Sequence, residues 1–115
     1  MALFFYTSEP YELLKAFKKA IDNGRVTTWS YDDDGDFTHT PDQWVKKAWL
    51  RPKVESDRLA LYILHPKATN ISSIVYAVYH GRFIESMLVH CDKLFTKGFA
   101  TAFPAGTDRV APPTE

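Results

Sequence analysis

The stretch KAWLRPKVESDRLALYIL, residues 47–64, decides which fold class the chain can adopt. Its two halves are rich in apolar and aromatic side chains and are separated by a polar run at 55–58, which is typical of a β-hairpin. Within 59–64 both alternating sets of side chains are largely apolar. A strand with two apolar faces lies in the middle of a sheet, so we expect helix on at least one face of it.

Residues before this hairpin predict a strand and a helix. The apolar run Leu3 to Tyr6 predicts an edge strand. Residues 10–23 predict a helix that has Pro10 in its first turn and ends at Gly24, where the chain can turn left-handed. One face of this helix is apolar and carries Leu13, Leu14, Phe17, Ala20 and Ile21.

A second hairpin is predicted upstream, between 25–31 and 37–39. The acidic run at 32–36 between them contains an Asp-Gly pair, which favours a tight turn. Thr40 and Gln43 then fit a capping box around Pro41, which predicts a helix of one or two turns.

The C-terminal half predicts a long helix over 72–95, capped within 70–73, and a last strand at 99–103. Whether Gly81 interrupts that helix is left open by the sequence. The element order favours an α+β fold, with an antiparallel sheet of about four to five strands and two main helices packed on one face. We expect one compact domain over 1–111 and a flexible, Pro-rich tail over 112–115.

Composition excludes several functional classes. The chain has 14 basic and 14 acidic side chains, whereas a nucleic-acid binder usually has a basic excess, so nucleic acid is an unlikely partner. Cys91 is the only cysteine, which is unusual in a small secreted domain. No apolar run approaches the roughly 18 residues of a membrane span, and the N-terminus lacks a basic leader. We therefore predict a cytoplasmic location, with no membrane partner.

The acidic run at 32–36 is a candidate site for a metal ion. Asp32, Asp34 and Asp36 alternate like the first ligands of a calcium loop, but positions six and twelve of that loop are Phe37 and Gln43 instead of Gly and Glu. A solvated turn is the favoured interpretation. Phosphate-binding loops and metal-binding motifs are missing from the sequence, so it predicts no metal and no cofactor.

His80 is the most informative residue. A helical wheel places it on an apolar stripe of the long helix, made of Ala77, His80, Ile84, Met87, Leu88, Cys91 and Phe95. A buried imidazole needs a hydrogen-bond partner, and a structural role in the core is the favoured interpretation. The functional alternative is a base or ligand contact at a pocket. Arg82 is a candidate contact residue on the same helix.

His39 alternates onto the same strand face as Phe37, and we expect it to be an exposed hairpin residue. If the first hairpin folds over the long helix, His39 could instead form a site with His80 and with Trp29 or Tyr31.

Between 44 and 53, basic side chains are interleaved with Trp44 and Trp49, close to the acidic residues Asp34 and Asp36. Opposite charges beside aromatic rings favour a surface for a protein partner. The leading hypothesis is a non-catalytic interaction protein, of the inhibitor, immunity or regulatory type, that uses its 29–53 region. The alternative is a small enzyme or ligand-binding protein with His80 and His39 lining a pocket. The sequence leaves open the oligomeric state and whether the chain is an enzyme.

Overall fold

The computed structural model describes residues 2–103, Gly106 and Asp108. Within them six strands form one antiparallel sheet. The predicted α+β class is confirmed, with more strands than the four to five expected. The strands are β1 (Ala2–Tyr6), β2 (Trp29–Tyr31), β3 (Phe37–His39), β4 (Trp49–Val54), β5 (Arg58–Leu64) and β6 (Lys97–Ala100). Their order across the sheet is β2-β3-β4-β5-β1-β6. The helices are α1 (Pro10–Asp22) and α2 (Ser73–Cys91), and a 3-10 helix follows at Asp92–Leu94.

The strand β5 is central, as its two apolar faces predicted. It pairs with β4 on one side and with β1 on the other. Leu59, Leu61 and Ile63 join the main core, whereas Ala60 and Tyr62 belong to a smaller cluster on the opposite face.

The expectation that β1 is an edge strand is wrong. It lies between β5 and β6, with Leu3 opposite Leu61 on one side and Ala100 on the other. Its second partner is supplied from the far end of the chain, so the local pattern of residues 3–6 gave no sign of it.

Both helices cover one face of the sheet, as predicted. The helix α1 is followed by Gly24, whose φ of 76° is left-handed, and it buries Leu13, Phe17 and Ala20. The helix α2 begins after Ser72, whose hydroxyl accepts the Val75 N–H at 3.3 Å, and it passes through residue 81 without a break. Neither helix combines the length and apolarity that crossing a membrane would need.

The buried face of α2 is rotated relative to the predicted stripe. His80 is buried as expected, but Ala77 and Leu88 are exposed, and Phe95 lies beyond the end of the helix. The core is formed instead by rings that include Tyr79 and Phe83. The prediction overlooked the tyrosines, whose rings can pack in a core while the hydroxyl finds a partner at its margin.

The predicted helix after Thr40 is absent from the described chain, where residues 42–46 form a turn. The Thr40 hydroxyl donates to the carbonyl of Thr27 at 2.7 Å, so it is engaged with the neighbouring chain rather than with a helix end. Lys46, with a φ of 59°, ends the turn. The last strand begins and ends earlier than the predicted 99–103. The predicted tail over 112–115 lies outside the described residues.

Candidate functional site

A cleft of about 220 Å³ lies where the first hairpin and the turn after it meet α2. We call it the His39 cleft. Three segments line it: Thr28 and His39 come from the hairpin, Pro41, Gln43 and Trp44 from the turn, and Arg82, Glu85 and Ser86 from α2.

The turn is held against α2 by Tyr79. This tyrosine is fully buried, and its hydroxyl donates to the carbonyl of Trp44. The same hydroxyl lies 3.0 Å from the Thr38 hydroxyl, which also accepts the Lys46 N–H at 3.0 Å. These contacts fix the wall of the cleft that carries Trp44.

The ring of His39 is the innermost polar group of the cleft. It is 5% exposed and packs on Trp29, with ring centroids 4.5 Å apart. Its Nδ1 lies 2.7 Å from the carbonyl oxygen of Thr28. Because a carbonyl can only accept, Nδ1 carries the hydrogen, and Nε2 of the neutral ring is an acceptor.

Burial lowers the pKa of His39 below its usual 6.5, and the hydrogen bond to Thr28 opposes this only in part. The ring is therefore neutral at pH 7, with its Nε2 lone pair available. The expectation that His39 is an exposed hairpin residue is wrong, because the hairpin folds over α2 and brings this ring close to Tyr79.

Two polar groups of the cleft lack partners among the described residues. Nε2 of His39 makes no hydrogen bond there, and neither does the hydroxyl of Ser86, so both remain available to a group that enters from solvent. A ligand group that enters the cleft can therefore form hydrogen bonds with Nε2 of His39 and with the Ser86 hydroxyl.

The rim of the cleft carries one cation and one anion. Arg82 and Glu85 are exposed, and their charged atoms lie 3.5 Å apart. They act on the pKa of His39 in opposite directions, Arg82 lowering it and Glu85 raising it. The mouth of the cleft therefore has no strong net charge.

His80 is placed elsewhere. It is 2% exposed, its Nδ1 donates to the carbonyl of Tyr76 at 2.6 Å, and its ring packs on the Tyr76 ring. It does not line the cleft with His39. This environment is that of a core histidine with a satisfied hydrogen bond.

The other aromatic candidates are dispersed. Trp29 is buried beneath His39 and offers no exposed surface. Tyr31 is half-buried beside α1 and donates to the Asp22 carboxylate at 2.7 Å, whereas Trp49 is half-buried in β4. Of the three predicted tryptophans, only Trp44 lines the cleft.

The acidic run is part of the hairpin turn. Carboxylate oxygens of Asp32, Asp34 and Asp36 lie within 4.8 Å of one another. However, Oδ1 of Asp32 accepts the backbone N–H groups of Asp34 and Asp36, each at 3.0 Å. Buried Asp36 binds Arg51 through two hydrogen bonds of 2.9 and 2.8 Å. These carboxylates therefore close the turn and hold an arginine.

Cys91 is a buried thiol rather than a nucleophile. Burial raises its pKa above the usual value, which keeps it protonated at pH 7.

No family model matches this chain, and no curated protein or solved structure matches it.

Several cleft residues were not predicted from the sequence. Ser86 and Glu85 carry no motif, and Thr28 contributes through its backbone carbonyl. One feature of the sequence could have indicated this site: Ser86 lies close to the apolar residues Ile84 and Met87, on a helix expected to be largely buried.

Proposed function

We propose that this chain is a non-catalytic binding protein that recognises another protein through the His39 cleft. The observation that carries the proposal is a pair of largely buried residues that line one cleft, His39 and Ser86, whose Nε2 and hydroxyl have no partner among the described residues and are not sealed from solvent. Binding sites commonly combine an apolar wall with a few convergent polar groups of this kind.

The size of the cleft favours a side chain of a partner over a free substrate. Sites for small molecules usually have about 300–1,000 Å³. The volume here is about 220 Å³, which suits one inserted side chain. Exposed residues around the mouth, including Gln43, Arg82 and Glu85, supply a polar rim of the kind that surrounds the buried centre of protein interfaces.

The backbone around the cleft disfavours nucleophilic catalysis. Ser86 lies inside α2, where the neighbouring backbone N–H groups are used in the helix. A serine nucleophile usually relies on free backbone donors for the developing oxyanion, and the helical backbone around Ser86 supplies none of them. A binding role for His39 and Ser86 is therefore favoured over the enzyme alternative.

Charges outside the cleft fit the same role. The hairpin tip exposes Asp32, Asp33 and Asp34, and β4 exposes Arg51 and Lys53. A partner with complementary charges would be oriented by these groups as it approaches the cleft.

The test is capture of a partner by the immobilised full chain from a lysate of its own cells. The variant His39→Asn keeps a donor near the Thr28 carbonyl and removes Nε2. The matched control is Lys15→Ala, an exposed change on α1. We expect a partner that the wild type and the control retain and that His39→Asn loses by about tenfold, the effect of one buried hydrogen bond.

Equal capture by all three proteins would overturn the proposal. Urea unfolding of each variant shows whether a lost partner reflects the cleft or a lost fold.

A further inference from the structure

The chemistry of the His39 cleft indicates which group enters it. Two of its groups accept hydrogen bonds at neutral pH, Nε2 of His39 and the Glu85 carboxylate. The Arg82 guanidinium can only donate, and the Ser86 hydroxyl can donate as well as accept. The half-buried residues Pro41 and Trp44 supply flat, largely apolar walls.

We propose that the His39 cleft holds a neutral primary carboxamide, the side chain of an Asn or Gln residue of the partner protein. This inference rests on the function proposed above. The NH₂ group of the carboxamide donates to His39 and Glu85, and its oxygen accepts from Ser86 and Arg82. Its planar faces lie against the walls.

Charged side chains match the donors and acceptors of the His39 cleft less well than a carboxamide does. A carboxylate can only accept, so it leaves the His39 and Glu85 lone pairs facing its oxygens. An ammonium or guanidinium group can only donate, so it leaves the Arg82 donors facing its own N–H groups. The carboxamide alone among these satisfies both kinds of partner.

The test is an NMR titration of the ¹⁵N-labelled protein with acetamide, which carries the carboxamide without a chain. We expect saturable shift changes at Ser86, Trp44 and His39, with millimolar or weaker affinity because the probe has few atoms. N,N-Dimethylacetamide is the matched control, since it keeps the oxygen and lacks the N–H donors, and it should leave these signals unshifted. Acetate and methylammonium represent the two charged classes.

Two variants and a lowered pH test the individual contacts between acetamide and the cleft. His39→Asn and Ser86→Ala should each weaken acetamide binding by about tenfold, the effect of losing one hydrogen bond. Protonation of His39 turns Nε2 into a donor, so acetamide binding should weaken as the pH falls. Arg82 and Glu85 are the charged groups of α2 that act on His39.

Saturable binding of acetate or methylammonium in place of acetamide would overturn the carboxamide assignment. So would equal shifts with acetamide and N,N-dimethylacetamide, or no saturable shift with acetamide at its highest soluble concentration. The capture experiment with His39→Asn judges the recognition role separately, because a partner lost by that variant can insert a group of another class.

Discussion

At the residue scale, the two ring nitrogens of His39 have different tasks. Nδ1 donates to Thr28 and ties β3 to the chain entering β2, whereas Nε2 has no partner among the described residues. Strand alternation correctly placed His39 and Phe37 on one face, and both are buried. Their depth could not be predicted, because the cover comes from other elements: α1 and α2 cover Phe37, and α2 covers His39.

The lowered pKa of His39 predicts a pH dependence of stability. The unfolded chain binds the proton near pH ~6.5, and the folded chain binds it only at lower pH. The contribution to the free energy of unfolding is therefore complete above about pH 6.5 and is lost as the pH falls toward the folded pKa. Urea unfolding of the wild type and His39→Asn across this range should show a smaller loss in the variant.

The same comparison has an internal control. His65, His80 and His90 are present in both proteins, so their contributions cancel in the difference. Parallel pH profiles for the two proteins would show that His39 titrates alike in the folded and unfolded chain.

At the element scale, local signals predicted most of the framework. The capping proline and the glycine bounded α1 to within one residue, and the Asp-Gly turn placed β2 against β3. The capping box at Thr40 failed because its hydroxyl binds Thr27, a contact that exists only once the hairpin has formed. Local sequence patterns predict turns and helix ends, whereas contacts between elements determine which of the predicted elements form.

Two glycines, one in α2 and one in β6, make a matched pair for mutagenesis. A Cβ on Gly81 would meet nothing within 4 Å, so Gly81→Ala should stabilise the protein by about 1 kcal/mol through helix propensity. A Cβ on Gly98 would lie 2.6 Å from Cδ1 of the buried Phe5 ring, so Gly98→Ala should destabilise it by about 1–3 kcal/mol. Urea midpoints measure both changes. A shift of the same sign for the two variants would contradict the packing described for β6.

At the scale of the whole molecule, the sheet order predicts where the fold is most resistant to opening. The strand β5 is bonded on both sides and covered on both faces, whereas β2 is a three-residue edge strand. Amide hydrogen exchange should therefore be slowest in β5, close to the rate set by global unfolding, and much faster in β2. Comparable protection of the two strands would mean that the sheet opens as one unit.

The position of β1 also affects how the protein is made. It is translated before its neighbours in the sheet, residues 58–64 and 97–100. At about 5–20 residues per second, the ribosome needs roughly 5–20 s to extend the chain from β1 to β6. During that interval the apolar side chains of Leu3 and Phe5 lack part of their native cover, which favours binding by chaperones. Synonymous codons that slow translation before residue 97 should therefore increase aggregation of the newborn chain without changing the mature protein.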